Sequence, residues 1–102
     1  MERGVVMRRC VKIKVVGKVQ GVSYREFVQK HATKLGVEGT AQNSEDGNVL
    51  IMACAISEKL DDLIDALYKG SPKSKIEDVL VEPLIPERDF RGVFRIIGSN
   101  KE

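Results

Sequence analysis

Residues 10–16, Cys-Val-Lys-Ile-Lys-Val-Val, alternate apolar and charged side chains and then stop at Gly17. Period two with β-branched residues demands a strand with one buried face. It places Val11, Ile13 and Val15 on that face, and Lys12 and Lys14 on the other. After a short break at 17–22 the period changes. Tyr24, Phe27, Val28, Ala32 and Leu35 recur at helical spacing within Ser23–Leu35, and Gly36 is a natural stop. A strand feeding a loop and then an amphipathic helix sets the layer arrangement for everything that follows.

The remaining segments extend the pattern. Val37–Asn43 reads as a second strand, weakened by Gly39, Thr40 and Gln42. Asn43-Ser44-Glu45-Asp46-Gly47 is turn chemistry, so a third strand over Asn48–Ile56 closes a hairpin. Ser57 is suited to cap a helix whose stripe is Leu60, Leu63, Ile64 and Leu67, and which Gly70 and Pro72 end. Ile76–Val81 and Val93–Ile97 read as fourth and fifth strands around a loop at 84–90. The order β-α-β-β-α-β plus a terminal strand predicts a ferredoxin-like α+β sandwich, with both helices on one face of a mixed, mainly antiparallel sheet. The other face carries Lys12, Lys14, Leu50 and Met52. A right-handed crossover makes strands one and two parallel, which brings the Gly17–Arg25 segment beside Asn43.

Composition narrows the class. The 102 residues fit one domain, read here as 10–98 with a mobile tail at 1–9 and a second tail at 99–102. A net charge of +2 is too small to indicate nucleic acid or an anionic membrane. The open sheet face also lacks the aromatic side chains on which an RNA-recognition sheet stacks bases. The longest apolar run, Val49–Ile56, has eight residues, whereas a spanning helix needs about 20. A cytoplasmic monomer with two reduced thiols is therefore expected. Cys10 and Cys54 fall on the same sheet face at the same end, so a cross-strand bridge is the alternative. No carboxylate pair or His/Cys cluster has metal-ligand spacing, and no cofactor is expected.

The chemistry concentrates in Gly17-Lys18-Val19-Gln20-Gly21-Val22-Ser23-Tyr24-Arg25. Glycines at a strand-to-helix turn let successive N–H groups face inward, and the helix start adds unpaired N–H groups and a positive dipole end. Arg25 in the first turn carries a planar fork that can hold two phosphate oxygens. Neither a Walker loop nor a dinucleotide fingerprint fits this spacing. From spacing alone, an ordinary turn with a solvated arginine stays equally open.

The same nine residues closely resemble the acylphosphatase signature G-x-V-Q-G-V-x-[FY]-R. Gly39-Thr40-Ala41-Gln42-Asn43 with Asp46-Gly47 is similar to the second motif of that family, and the resemblance runs from Cys10 to Ile97 through Gly70-Ser71-Pro72 and Phe94-Arg95-Ile96. It implies a small cytosolic hydrolase acting on acyl phosphates. Arg25 is carried over as the phosphate-binding arginine and Asn43 as the water-positioning side chain. The loop Gly17, Lys18, Val19, Gln20, Gly21 and Val22 is carried over as the phosphate cradle, although Lys18 fits a solvated loop lysine equally well. Thr40 stands where the family has an aromatic and Gln42 where it has a basic residue, which predicts looser packing before Asn43. A non-catalytic anion-binding module of the same fold is the alternative. His31, the only histidine, lies mid-helix away from the loop and is not expected to act.

Overall fold

The computed structural model describes residues 8–87 and 89–98, so residues 1–7 of the expected tail at 1–9 and the expected tail at 99–102 lie outside the described residues, while residues 8 and 9 of the first fall in a strand. The elements follow in the expected order: β1 (Arg8–Lys18), α1 (Tyr24–Leu35), β2 (Glu38–Asn43), β3 (Val49–Ile56), α2 (Ser57–Lys69), β4 (Lys75–Pro83) and β5 (Phe94–Ile97). The five strands form one sheet in the order β4-β1-β3-β2-β5. All pairings are antiparallel except β2 with β5. Both β1 and β2 are antiparallel to β3, so they run the same way, as a right-handed crossover requires.

Alternation decides the layers. Val11, Ile13 and Val15 of β1, Val49, Ile51 and Ala53 of β3, and Ala41 of β2 are buried in one core. Val28 and Ala32 of α1 and Leu60, Leu63 and Leu67 of α2 close that core. Tyr24 joins the helices: its hydroxyl donates to the Leu67 carbonyl at 2.9 Å. Burial pushes its phenol well above the ordinary value, so it stays a neutral donor. Lys12, Lys14, Leu50 and Met52 lie half-buried on the opposite face. Among the described residues no helix is long and apolar enough to cross a membrane.

Element ends depart from the sequence reading where polar residues continue a strand. β1 starts at Arg8, and Arg8 and Arg9 pair with Ile56 and Ala55. The Arg8 guanidinium meets the Glu38 carboxylate, a contact that no periodicity announces. α2 begins at Ser57 itself with Ile56 in the cap position, and no side-chain bond caps it. The reason is continuity: β3 is still paired at Ile56 when the helix starts.

β4 and β5 occupy opposite edges, so their connection crosses the sheet at the end where β1 begins. Leu84 N–H donates to the Cys10 carbonyl at 3.0 Å, and Gly39 N–H to the Val93 carbonyl at 2.9 Å. Under this crossing the expectation of two reduced thiols is overturned. Cys10 lies directly opposite Cys54 in the β1–β3 register, with a Cα separation of 4.0 Å, and the two sulfurs are bonded. The bridge closes a loop of 44 residues, for which chain entropy gives a stabilisation of about 4 kcal/mol. Denatured, unreduced protein should therefore show no titratable thiol. Reductant should lower the unfolding free energy by about that amount. Two free thiols per chain before reduction would exclude the bridge.

Candidate active site

The loop between β1 and α1 is shaped by close contacts. β1 bulges between Val16 and Gly17 against β4. A side chain at Gly17 would meet the Lys75 carbonyl oxygen at 2.0 Å, so only glycine lets the strand turn there. Gly21 takes φ 72°, and Ser23 takes φ 60° at the N-cap of α1. A non-glycine residue in the left-handed region is uncommon and clusters at functional positions. The Ser23 side chain does not cap the helix, which leaves the first-turn amides of α1 without a side-chain acceptor.

A cavity of about 280 Å³ opens at this helix start, lined by Val19, Gly21, Ser23, Arg25 and, from the end of β2, Asn43, with Tyr24 and Glu26 completing its wall. The two residues expected to act therefore meet across one cavity, 18 positions apart in sequence. Arg25 is buried, 5% exposed. Its Nη1 donates to the Ile97 carbonyl at 3.1 Å, which ties the guanidinium to β5. Asn43 Oδ1 is buried and has no hydrogen-bond partner among the described residues. Buried polar atoms are ordinarily paired, so an orphan on a residue that lines a cavity calls for an explanation.

Of the other loop residues, Val19 and Gly21 line this cavity, while Gly17, Lys18, Gln20 and Val22 do not. Gly17 serves the bulge and Lys18 is exposed. Gln20 has a role that the sequence reading missed. Its side-chain amide donates to the carbonyls of Ser44 and Asn48, both at 2.8 Å, and so straps the loop to the turn that follows Asn43. Asp46 anchors the same turn: Lys14 Nζ lies 2.8 Å from its carboxylate, and the Ser44 hydroxyl also bonds it. The Lys14 contact foremost, then Ser44, holds the Asp46 carboxyl far below the usual range. This depressed group favours the folded turn at neutral pH and stops doing so as acid protonates it; being exposed, it is readily screened by salt.

Thr40 is buried, 7% exposed, and shares a cavity of about 380 Å³ with Phe90 and Arg95. An aromatic therefore borders this position from the β4–β5 crossing rather than from β2. His31 packs on Phe27 with ring centroids 4.6 Å apart and does not line the cavity that holds Arg25 and Asn43. Among the described residues no three His, Cys, Asp or Glu side chains gather as metal ligands.

Comparison with known proteins agrees with this fold. Over 85 residues the chain is 41% identical to an acylphosphatase of Koribacter versatilis, covering 83% of this chain and 76% of that protein. A Bacillus licheniformis acylphosphatase is 46% identical over 71 residues, 70% of this chain and 79% of its own. Among solved structures, an acylphosphatase from Coxiella burnetii superimposes with a TM-score of 0.81 at 33% identity, covering 88% of this chain and 93% of the other. The acylphosphatase of Bacillus subtilis gives 0.79 at 34%, covering 90% and 100%. The acylphosphatase family model matches residues 11–96, and with that span reaching into every strand and taking in both helices and the loop that leads to Arg25, the chain belongs to the acylphosphatase family.

Proposed function

We propose that the cavity between α1 and the end of β2 hydrolyses the carboxyl–phosphate bond of small acyl phosphates by the concerted work of Arg25, the loop amides and Asn43. The observation that carries this reading is that Arg25 and Asn43 line one cavity at the start of α1, with the Oδ1 of Asn43 buried and without a hydrogen-bond partner among the described residues. The phosphoryl oxygens sit on Arg25 and on N–H groups of the loop and first helical turn, where the dipole favours a dianion. A water donates one hydrogen bond to Asn43 Oδ1 and presents its lone pair to phosphorus. The water oxygen bonds to phosphorus as the phosphorus–oxygen bond to the acyl group breaks, and the bonding pair leaves with the carboxylate. An amide has no useful basicity, so the proton of the attacking water passes to a phosphoryl oxygen. The products are a carboxylate and inorganic phosphate.

Few groups suffice because the leaving group is good. Its conjugate acid has a pKa of about 4, so it departs as an anion with no general acid. Phosphoryl transfer then depends on placement and charge stabilisation. The protein is read as a cytoplasmic monomer that needs no cofactor.

The test is hydrolysis of acetyl phosphate by the purified chain, with inorganic phosphate as a competing ligand. Turnover with competitive inhibition by phosphate is the expected result. Phosphate binding without turnover would instead identify a non-catalytic anion-binding module.

A further inference from the structure

A second cavity, of about 490 Å³, adjoins the phosphate cavity and shares Gly21, Ser23 and Glu26 with it. Its remaining lining is Val22, Phe27 and Pro72 as an apolar wall, Lys30 and Lys73, and Ser71. Asn43 lines only the first cavity. In-line displacement puts the leaving oxygen opposite the attacking water. A water held by Asn43 therefore directs the acyl group away from Asn43, toward the shared Gly21–Glu26 wall and the space beyond it.

Ser71 is a second, independent pointer. It is 7% exposed, and its hydroxyl oxygen is buried without a hydrogen-bond partner among the described residues. The backbone of Ser71 is already engaged: its N–H donates to Ser74 Oγ at 2.8 Å, and its carbonyl accepts from the same hydroxyl at 2.9 Å. The turn is thus built without the Ser71 hydroxyl, whose orphan state matches that of Asn43 in the neighbouring cavity. The charges that line the second cavity are two ammonium groups, from α1 and from the α2–β4 turn, against the single Glu26 carboxylate on the shared wall. Phe27 in the apolar wall packs on Tyr24 at 5.7 Å and on His31 at 4.6 Å.

Resting on the acylphosphatase reading, we propose that this second cavity receives the acyl group, and that Lys30, Lys73 and Ser71 select acyl phosphates whose chain ends in a second anionic group. Methylene carbons lie on Val22, Phe27 and Pro72, and the terminal carboxylate meets the two ammonium groups and the serine hydroxyl.

Succinyl phosphate and butyryl phosphate test this, because they share a four-carbon acyl chain and differ in the terminal carboxylate. Two exposed ion pairs together correspond to roughly a fivefold preference in kcat/KM for succinyl phosphate. The double variant Lys30→Met, Lys73→Met should erase that preference through KM for succinyl phosphate, with kcat unchanged on both substrates. Ser71→Ala should raise the same KM and leave butyryl phosphate alone. Lys34→Met, in the last turn of α1, removes a charge outside the cavity and should leave the ratio intact. A wild-type ratio near one, or an equal fall in the ratio with Lys34→Met, overturns the proposal. Loss of both activities in wild type would instead sink the acylphosphatase reading. The cavity is then read by calorimetry with 4-carboxy-2-oxobutylphosphonate against 2-oxopentylphosphonate: tighter binding of the first, lost in the double variant, supports the acyl subsite, and equal binding overturns it.

Discussion

Arg25→Gln should lose at least 10³-fold in kcat/KM for acetyl phosphate while the protein stays folded, because a phosphate-clamping arginine is worth on the order of 10³–10⁵ in rate. Glutamine keeps a planar amide but lacks the charge and the two-pronged donor face. It is also too short to reach both the cavity and the Ile97 carbonyl, to which Arg25 Nη1 donates. The loss should appear as weakened affinity for inorganic phosphate as well as slower turnover, since the guanidinium holds the phosphoryl group before and during displacement. Arg25→Lys should recover only part of the loss, because an ammonium is a point charge without the fork. Far-UV circular dichroism and a thermal melt check that the variant is folded. A folded Arg25→Gln protein with activity within tenfold of wild type would remove Arg25 from the mechanism.

Periodicity made the layers legible, and the shared direction of β1 and β2 brought the site together. Val11, Ile13 and Val15 announced the buried face of β1, and the parallel run of β1 and β2 placed the loop after β1 beside Asn43, where the cavity lies. What stayed hidden depends on register. Gln20 bonds the carbonyls of Ser44 and Asn48, 24 and 28 residues away, and nothing local distinguishes a strap from a cradle residue. Alternation put Cys10 and Cys54 on one face, but the bond between them follows from their standing directly opposite, a fact of strand pairing. Arg8 and Arg9 extend β1 through pairing with β3, although their side chains carry no apolar period. The Ser71 hydroxyl was invisible for a related reason: a serine in a Gly-Ser-Pro turn reads as turn chemistry until its neighbours show what Ser74 already supplies.

Asn43→Ala isolates the second half of the mechanism. Its Oδ1 is buried and unpartnered, so alanine removes an acceptor that no described residue uses. Stability should therefore change little, unlike the loss of a group whose partner is left stranded. Phosphate binding should also be close to wild type, because Arg25 and the amides of the loop and helix start are untouched. Turnover should fall by roughly 10²-fold or more, by analogy with the removal of one oriented hydrogen-bonding group from an active site. The fall should sit in kcat rather than KM, since the water is positioned for the transition state and contributes little to holding the substrate. Asn43→Asp sharpens the test. It keeps an oxygen at the same place but sets a negative charge beside a dianion, so it should weaken phosphate binding as well as slow the reaction. Unaltered phosphate affinity in Asn43→Ala together with reduced kcat separates water placement from substrate capture; a kcat near wild type in the folded variant would show that the water is held by something else.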